Sequence, residues 1–229
     1  MTFGSEEIGL VLLSLRIACV AVAVSLPFAI GTALLLTRRP FWGQSALNIA
    51  VHLPLVLPPV VTGYALLVLF SPNALLGRWI EVIFGTGIAF RWTGAALAAA
   101  IMAFPLFVRA IRQSLEAVDG GLQEAALTLG RSRLGIFFTI TLPLCWPGIL
   151  AGIVLAWAKA LGEFGATITF VSNIPGQTQT IPTAIYSALQ VPGDETAALA
   201  LILVSVTISA GALIASEWLA RSVGRRLAQ

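Results

Sequence analysis

The stretch Ala197-Ala198-Leu199-Ala200-Leu201-Ile202-Leu203-Val204-Ser205-Val206-Thr207-Ile208 runs on to residue 216 without one charged side chain. A helix rising 1.5 Å per residue needs about 20 apolar residues to cross a hydrocarbon core of about 30 Å. This run has that length, and four others like it place spans at about 8–36, 47–70, 92–108, 147–171 and 197–219. Each must be helical, because a lipid-exposed backbone has to satisfy its hydrogen bonds within its own segment. No β-barrel alternation is present. The expected fold is therefore all-α, a polytopic protein of five transmembrane helices.

Composition agrees. Of 229 residues, 58% are hydrophobic and 10% charged, far from the roughly 25% charged and 45–50% apolar usage of a soluble domain. The spans leave no room for a separate soluble unit of ordinary size, so residues 1–229 form one membrane domain. The formal charge of +3 comes from arginines clustered between spans, which argues against a basic face for nucleic acid. Cys19 and Cys145 lie in or beside apolar segments, without metal or disulfide spacing, and are expected to act as small hydrophobes. The first residues carry Glu6 and Glu7 but no basic residue, so the first apolar run is expected to remain as a span and not as a cleaved leader.

Lys and Arg near span ends mark the cytoplasmic side. Arg38, Arg39, Arg109, Arg112, Arg131, Arg133, Arg221, Arg225 and Arg226 fall on one side, and only Arg78 and Arg91 on the other. The N-terminus is thus expected outside and the C-terminus inside. Span two contains His52, Pro54, Pro58 and Pro59, and its cytoplasmic half should be bent or broken. The lone histidine, without a second ligand nearby, suits a polar kink partner better than a metal site. Between residues 175 and 192 the apolar piece 181–189 is too short to cross and should lie at the outer surface or re-enter.

One long cytoplasmic loop, about 116–143, joins spans three and four. Asp119 can cap a helix start, Gly130 can stop it in a left-handed conformation, and Leu122, Ala125, Ala126 and Leu129 fall at i, i+3, i+4 and i+7. Ser132 can cap a second short helix that should end before Pro143. The loop is longer than a turn needs, and its small apolar stripe allows close approach by another surface. Two short coupling helices are expected there.

The spacing Glu124-Ala125-Ala126, three residues, Gly130, nine residues, Ile140, one residue, Leu142-Pro143 resembles the signature of ABC importer permeases. That resemblance implies that the loop inserts into a groove on a separate ATP-binding subunit and transmits nucleotide-driven motion. More narrowly, His52-Leu-Pro-Leu-Val-Leu-Pro-Pro-Val-Val61, Phe137-Phe-Thr-Ile-Thr-Leu-Pro-Leu144 and Leu161-Gly-Glu-Phe-Gly-Ala-Thr-Ile-Thr-Phe-Val-Ser-Asn-Ile-Pro-Gly176 are similar to molybdate transporter permeases. Sulfate and thiosulfate permeases share part of the last stretch, so sulfate, thiosulfate and tungstate remain alternative cargoes. The partners implied are a second copy of the chain, two ATP-binding cassette subunits, a periplasmic oxyanion-binding protein and membrane lipid. The location implied is the bacterial inner membrane. ATP and Mg would be bound by the partner subunit, leaving this chain without a cofactor.

Lys159 and Glu163 lie one helical turn apart about midway along span four, where a charge is costly unless paired or facing a polar path. A self-neutralising pair and a pathway or gate built from Lys159, Gly162, Glu163 and Gly165 both fit. Ala158, Gly162 and Ala166 offer a row of small residues for helix packing. Arg16 can snorkel to the outer surface, and Glu217 can pair with Arg221. An enzyme is not expected. The only lysine is within a span, so there is no P-loop, and one His with no HExxH makes an intramembrane hydrolase a poor fit. A channel would show a filter loop or a ring of like charge, and neither is present.

Overall fold

Alanine decides how the helices gather. The computed structural model describes residues 4–37, 40–192 and 195–227, with helices and no strand among them. Along helix α5 (Trp92–Glu116), Gly94, Ala95, Ala96, Ala98, Ala99 and Ala103 are all buried. Such small side chains let neighbouring backbones come close without strain. Helix α1 (Ser5–Thr37) packs along one side of α5 and α8 (Leu142–Leu161) along another. The most apolar stretch of α5 is 61% buried, against 11% for the last helix, α11 (Glu195–Leu227). The core therefore sits around α5, and α11 is peripheral.

Helices α5 and α8 run antiparallel in a register read from glycine. A β-carbon on Gly152 would press on Phe107 and Ala110, and one on Gly148 would run into Ser114. The same level is tied by Ser114 Oγ, which donates to the Cys145 carbonyl at 3.3 Å. Four helices among the described residues are long and apolar enough to cross a membrane alone. The bent pair α2 (Gln44–Val56) and α3 (Pro59–Phe70) supplies a fifth crossing if taken as one span, with 113° between its halves. The expected proline bend is present at Leu57 and Pro58, with Pro59 opening the second half. His52 lies a turn before the bend, its Nδ1 2.8 Å from the Asn48 carbonyl of its own helix.

Several expected boundaries are corrected. The third span continues to Glu116, beyond 108. The second short loop helix, α7 (Arg133–Ile136), does not end before Pro143: it passes through a π-helical turn at Phe137–Thr141 into α8, giving one helix over Arg133–Leu161. Proline removes a backbone donor and crowds the carbonyl four residues back. The wide turn, in which the Leu142 N–H reaches back five residues to the Phe137 carbonyl, relieves that crowding by changing the register ahead of Pro143. The fourth span, expected as one helix over 147–171, is interrupted at 162–164, and the short α9 (Gly165–Val171) completes it. Ala158, Gly162 and Ala166 therefore do not form one continuous row, because the helix stops between them.

The short piece 181–189 forms a short helix, α10 (Ile181–Leu189), which packs against α11 and α1. The Ile181 N–H donates to Ser14 Oγ of α1 at 2.9 Å. Arg16 does more than snorkel: its guanidinium carbon sits 3.8 Å from the centre of the Trp92 ring. This cation–π contact joins the fourth turn of α1 to the first residue of α5. An element not anticipated is α4 (Leu75–Phe84), on which Leu76, Trp79 and Ile83 form an exposed apolar side with Arg78 and Glu81 opposite. Arg38 and Arg39 of the charge count lie outside the described residues, as do the side chains of Glu217, Arg221, Arg225 and Arg226.

Candidate functional site

The loop end of the molecule is built by capping. Helix α6 (Gly120–Thr128) starts where Asp119 Oδ1 accepts the Gly121 N–H at 2.8 Å, satisfying a donor the helix cannot. It stops where Gly130 adopts φ +80°. There the Gly130 N–H reaches the Leu127 carbonyl at 3.0 Å and the Arg131 N–H the Ala126 carbonyl at 3.1 Å. These two bonds make a Schellman motif, whose left-handed residue is favourable only for glycine. Ser132 Oγ then accepts the Gly135 N–H at 3.1 Å and starts α7.

The expected apolar stripe divides. Ala126 is turned against the body and buried, whereas Leu122, Ala125 and Leu129 stay exposed, Leu129 by 85%. Gln123 and Leu127 line a cavity of about 380 Å³ with Leu34, Leu115 and Arg133, and α6 packs on α7 and the π-helical turn. Glu124 is exposed. Ile140 belongs to the π-helical turn, and Leu142 and Pro143 open α8, with Leu142 packed on the core. The loop thus offers a short, rigidly capped helix whose outer side is small and apolar.

The second cluster lies in the fourth crossing. Lys159 is seven residues beyond Gly152, about 10 Å of helix rise, and so comes level with about Met102, near the middle of α5. Its Nζ donates to Glu163 Oε2 at 2.7 Å. Glu163 Oε1 accepts the Ala166 N–H at 3.1 Å. One carboxylate therefore joins the last turn of α8 to the first of α9 across the interruption. Its side chain is 2% exposed and that of Lys159 is 32% exposed. The expected pair is formed, at a helix end and not inside a continuous helix.

The two interrupted crossings meet there. A β-carbon on Gly165 would lie 2.8 Å from Pro59 Cβ, and one on Gly63 would lie 2.9 Å from Ala166 Cα. Phe70 and Phe170 touch farther along, with ring centres 6.2 Å apart. Phe164, inside the interruption, packs on Tyr186 of α10 at 5.1 Å. The structure brings Lys159, Gly162, Glu163 and Gly165 together and keeps them far along α8 from the Glu124 loop. No group of three or more His, Cys, Asp or Glu able to hold a metal occurs among the described residues.

Residues 25–225 match the family described as the binding-protein-dependent transport system inner membrane component. The chain belongs to this family. As such a permease it is 56% identical, over 96% of both chains, to the molybdenum transport system permease protein ModB of Escherichia coli (strain K12). It is 52% identical, over 97% of both, to the protein of that name in Haemophilus influenzae. A bacterial ABC transporter involved in import of the acidic polysaccharide alginate superposes with a TM-score of 0.75 at 17% identity, covering 96% of this chain and 80% of that one. At that identity the likeness speaks for the fold alone.

For a permease of this family the sequence left two features unassigned. The Arg16–Trp92 contact joins residues distant in the chain, and only the arginine gave a signal. The α4 segment did carry one, since Leu76, Trp79, Ile80 and Ile83 share a helical side away from Arg78 and Glu81, but its ten residues are too few to stand out as a crossing.

Proposed function

We propose that this chain is the permease subunit of an ATP-driven importer that carries molybdate across the bacterial inner membrane, with ATP and Mg held by a separate ATP-binding subunit. Identity of 56% over nearly the whole length to a molybdenum transport permease is the observation that carries the cargo. Two copies of the chain, two ATP-binding subunits and an external binding protein complete the assembly, and alternating access moves the anion. Charge bias between the loops supports an N-terminus outside and a C-terminus in the cytoplasm.

Coupling is assigned to α6. Its exposed Leu122, Ala125 and Leu129 offer a small apolar knob, Glu124 lies beside them, and Asp119 and Gly130 hold the helix in shape. Ile140, Leu142 and Pro143 connect that knob to the fourth crossing through a continuous helix, so a push on α6 is delivered to α8.

In liposomes containing the chain, its ATP-binding subunit and the binding protein, Glu124→Lys should abolish ATP-driven molybdate uptake while the chain still inserts. Gly130→Pro should do the same by removing the left-handed stop. Undiminished uptake in both variants sinks the coupling assignment. A cysteine introduced as Ser5→Cys should react with an impermeant thiol reagent from outside, and reaction from the cytoplasmic side alone reverses the topology.

A further inference from the structure

The geometry points to Lys159 as a transit site for the tetrahedral oxyanion, at which the ammonium exchanges Glu163 for the passing dianion and then returns. The inference deepens the importer assignment above and rests on it. Four observations converge. The pair sits near the level of the middle of α5, where both interrupted crossings meet through Gly165 on Pro59 and Gly63 on Ala166. Interrupted helices near the midplane are where transport proteins can present backbone and side-chain groups to a solute, since irregular backbone there has to line a cavity or be buried in protein.

The open member of the pair is the cation. Glu163 is buried while Lys159 keeps about a third of its side-chain surface open. Around Lys159 on the same side of α8, Leu155, Ala158 and Gly162 are exposed, two of them small. A charged group on such a thinly covered side does not suit acyl chains and suits a polar path.

Glu163 can spare its partner. Its second oxygen holds the Ala166 N–H, so the carboxylate keeps one hydrogen bond when the ammonium turns away. Its negative charge also keeps the site from gripping a dianion for long, and passage needs both entry and release. Finally, Thr62 on the first turn of α3 is 7% exposed, and its Oγ1 has no hydrogen-bond partner among the described residues. It precedes Gly63, which packs on Ala166, and a threonine hydroxyl can donate to an oxyanion oxygen.

The test uses the complete transporter in liposomes, with molybdate and sulfate as probes. Lys159→Arg should keep uptake. Lys159→Met/Glu163→Gln removes both charges together and should assemble, yet lose about tenfold or more in uptake rate, the scale of one charge-assisted hydrogen bond. A merely structural pair predicts the opposite, because the neutral pair would restore transport. A second readout exploits the single lysine of the chain: acylation of Lys159, followed by peptide mass, should slow in molybdate relative to chloride at equal ionic strength. Wild-type uptake by the double variant, or acylation indifferent to both oxyanions, overturns the transit site and leaves the importer assignment standing. Failure of the wild-type complex to take up either anion overturns the importer assignment itself.

Discussion

At Leu57 and Pro58 the chain turns because two consecutive prolines each push the residue before them into extended backbone, whereas at 162–164 it turns around a buried carboxylate. The first interruption is covalent. Pro58 and Pro59 impose it whatever surrounds them, and the halves diverge by 113°. The second is made of interactions: a 2.7 Å ion pair on one side and a 3.1 Å backbone hydrogen bond on the other. A bend set by ring closure is fixed for the life of the chain, but one set by a side chain can be redrawn when that side chain changes partner. The molecule places one of each kind side by side, a fixed wall against an adjustable one.

The contrast can be attacked from its stronger side first. Lys159→Met should lower stability by about 3–5 kcal/mol, because it leaves a carboxylate buried without its counter-ion. The midpoint of thermal unfolding in detergent measures this, and adding Glu163→Gln should recover most of the loss. A single variant as stable as the parent would mean that the second interruption does not depend on the pair. Pro58→Ala should cost no more than about 1 kcal/mol, since Pro59 still keeps residue 58 out of the helical region and only the freedom of the unfolded chain increases. A loss as large as that of Lys159→Met would erase the distinction between the two bends.

What could be read in the sequence follows the range of the forces involved. Asp119, Gly130 and Ser132 act within a few residues of themselves, so the start and stop of α6 and the start of α7 were legible. The prolines of the second crossing were legible for the same reason. Membrane embedding and the helical class followed from apolar run length. Pro143 misled because its usual effect, ending a helix, is cancelled by a π-helical turn that no local pattern announces. The interruption at 162–164 was hidden because apolar sequence resumes on both sides of Glu163, the Lys159–Glu163 spacing also fits an unbroken helix, and Gly162 and Gly165 also suit close packing. Ala126 separated from Leu122, Ala125 and Leu129 only because the returning chain, α7 and the π-helical turn, packs against α6. Arg16 required Trp92, a residue far along the chain, before its position had a partner.

The π-helical turn at Phe137–Thr141 also carries a consequence for phase. A wide turn accommodates one residue more than an α-helix would over the same rise. Each residue of an α-helix advances the azimuth by about 100°. Whatever precedes the turn is therefore rotated about the axis of α8 relative to an uninterrupted helix, and α6 is aimed by that offset. Closing the turn into α-helical geometry with all of its residues kept would swing Leu122, Ala125 and Leu129 by roughly 100° without altering one of them. The knob's direction, like the setting of a cam on its shaft, is thus stored in a single extra residue several turns away from it.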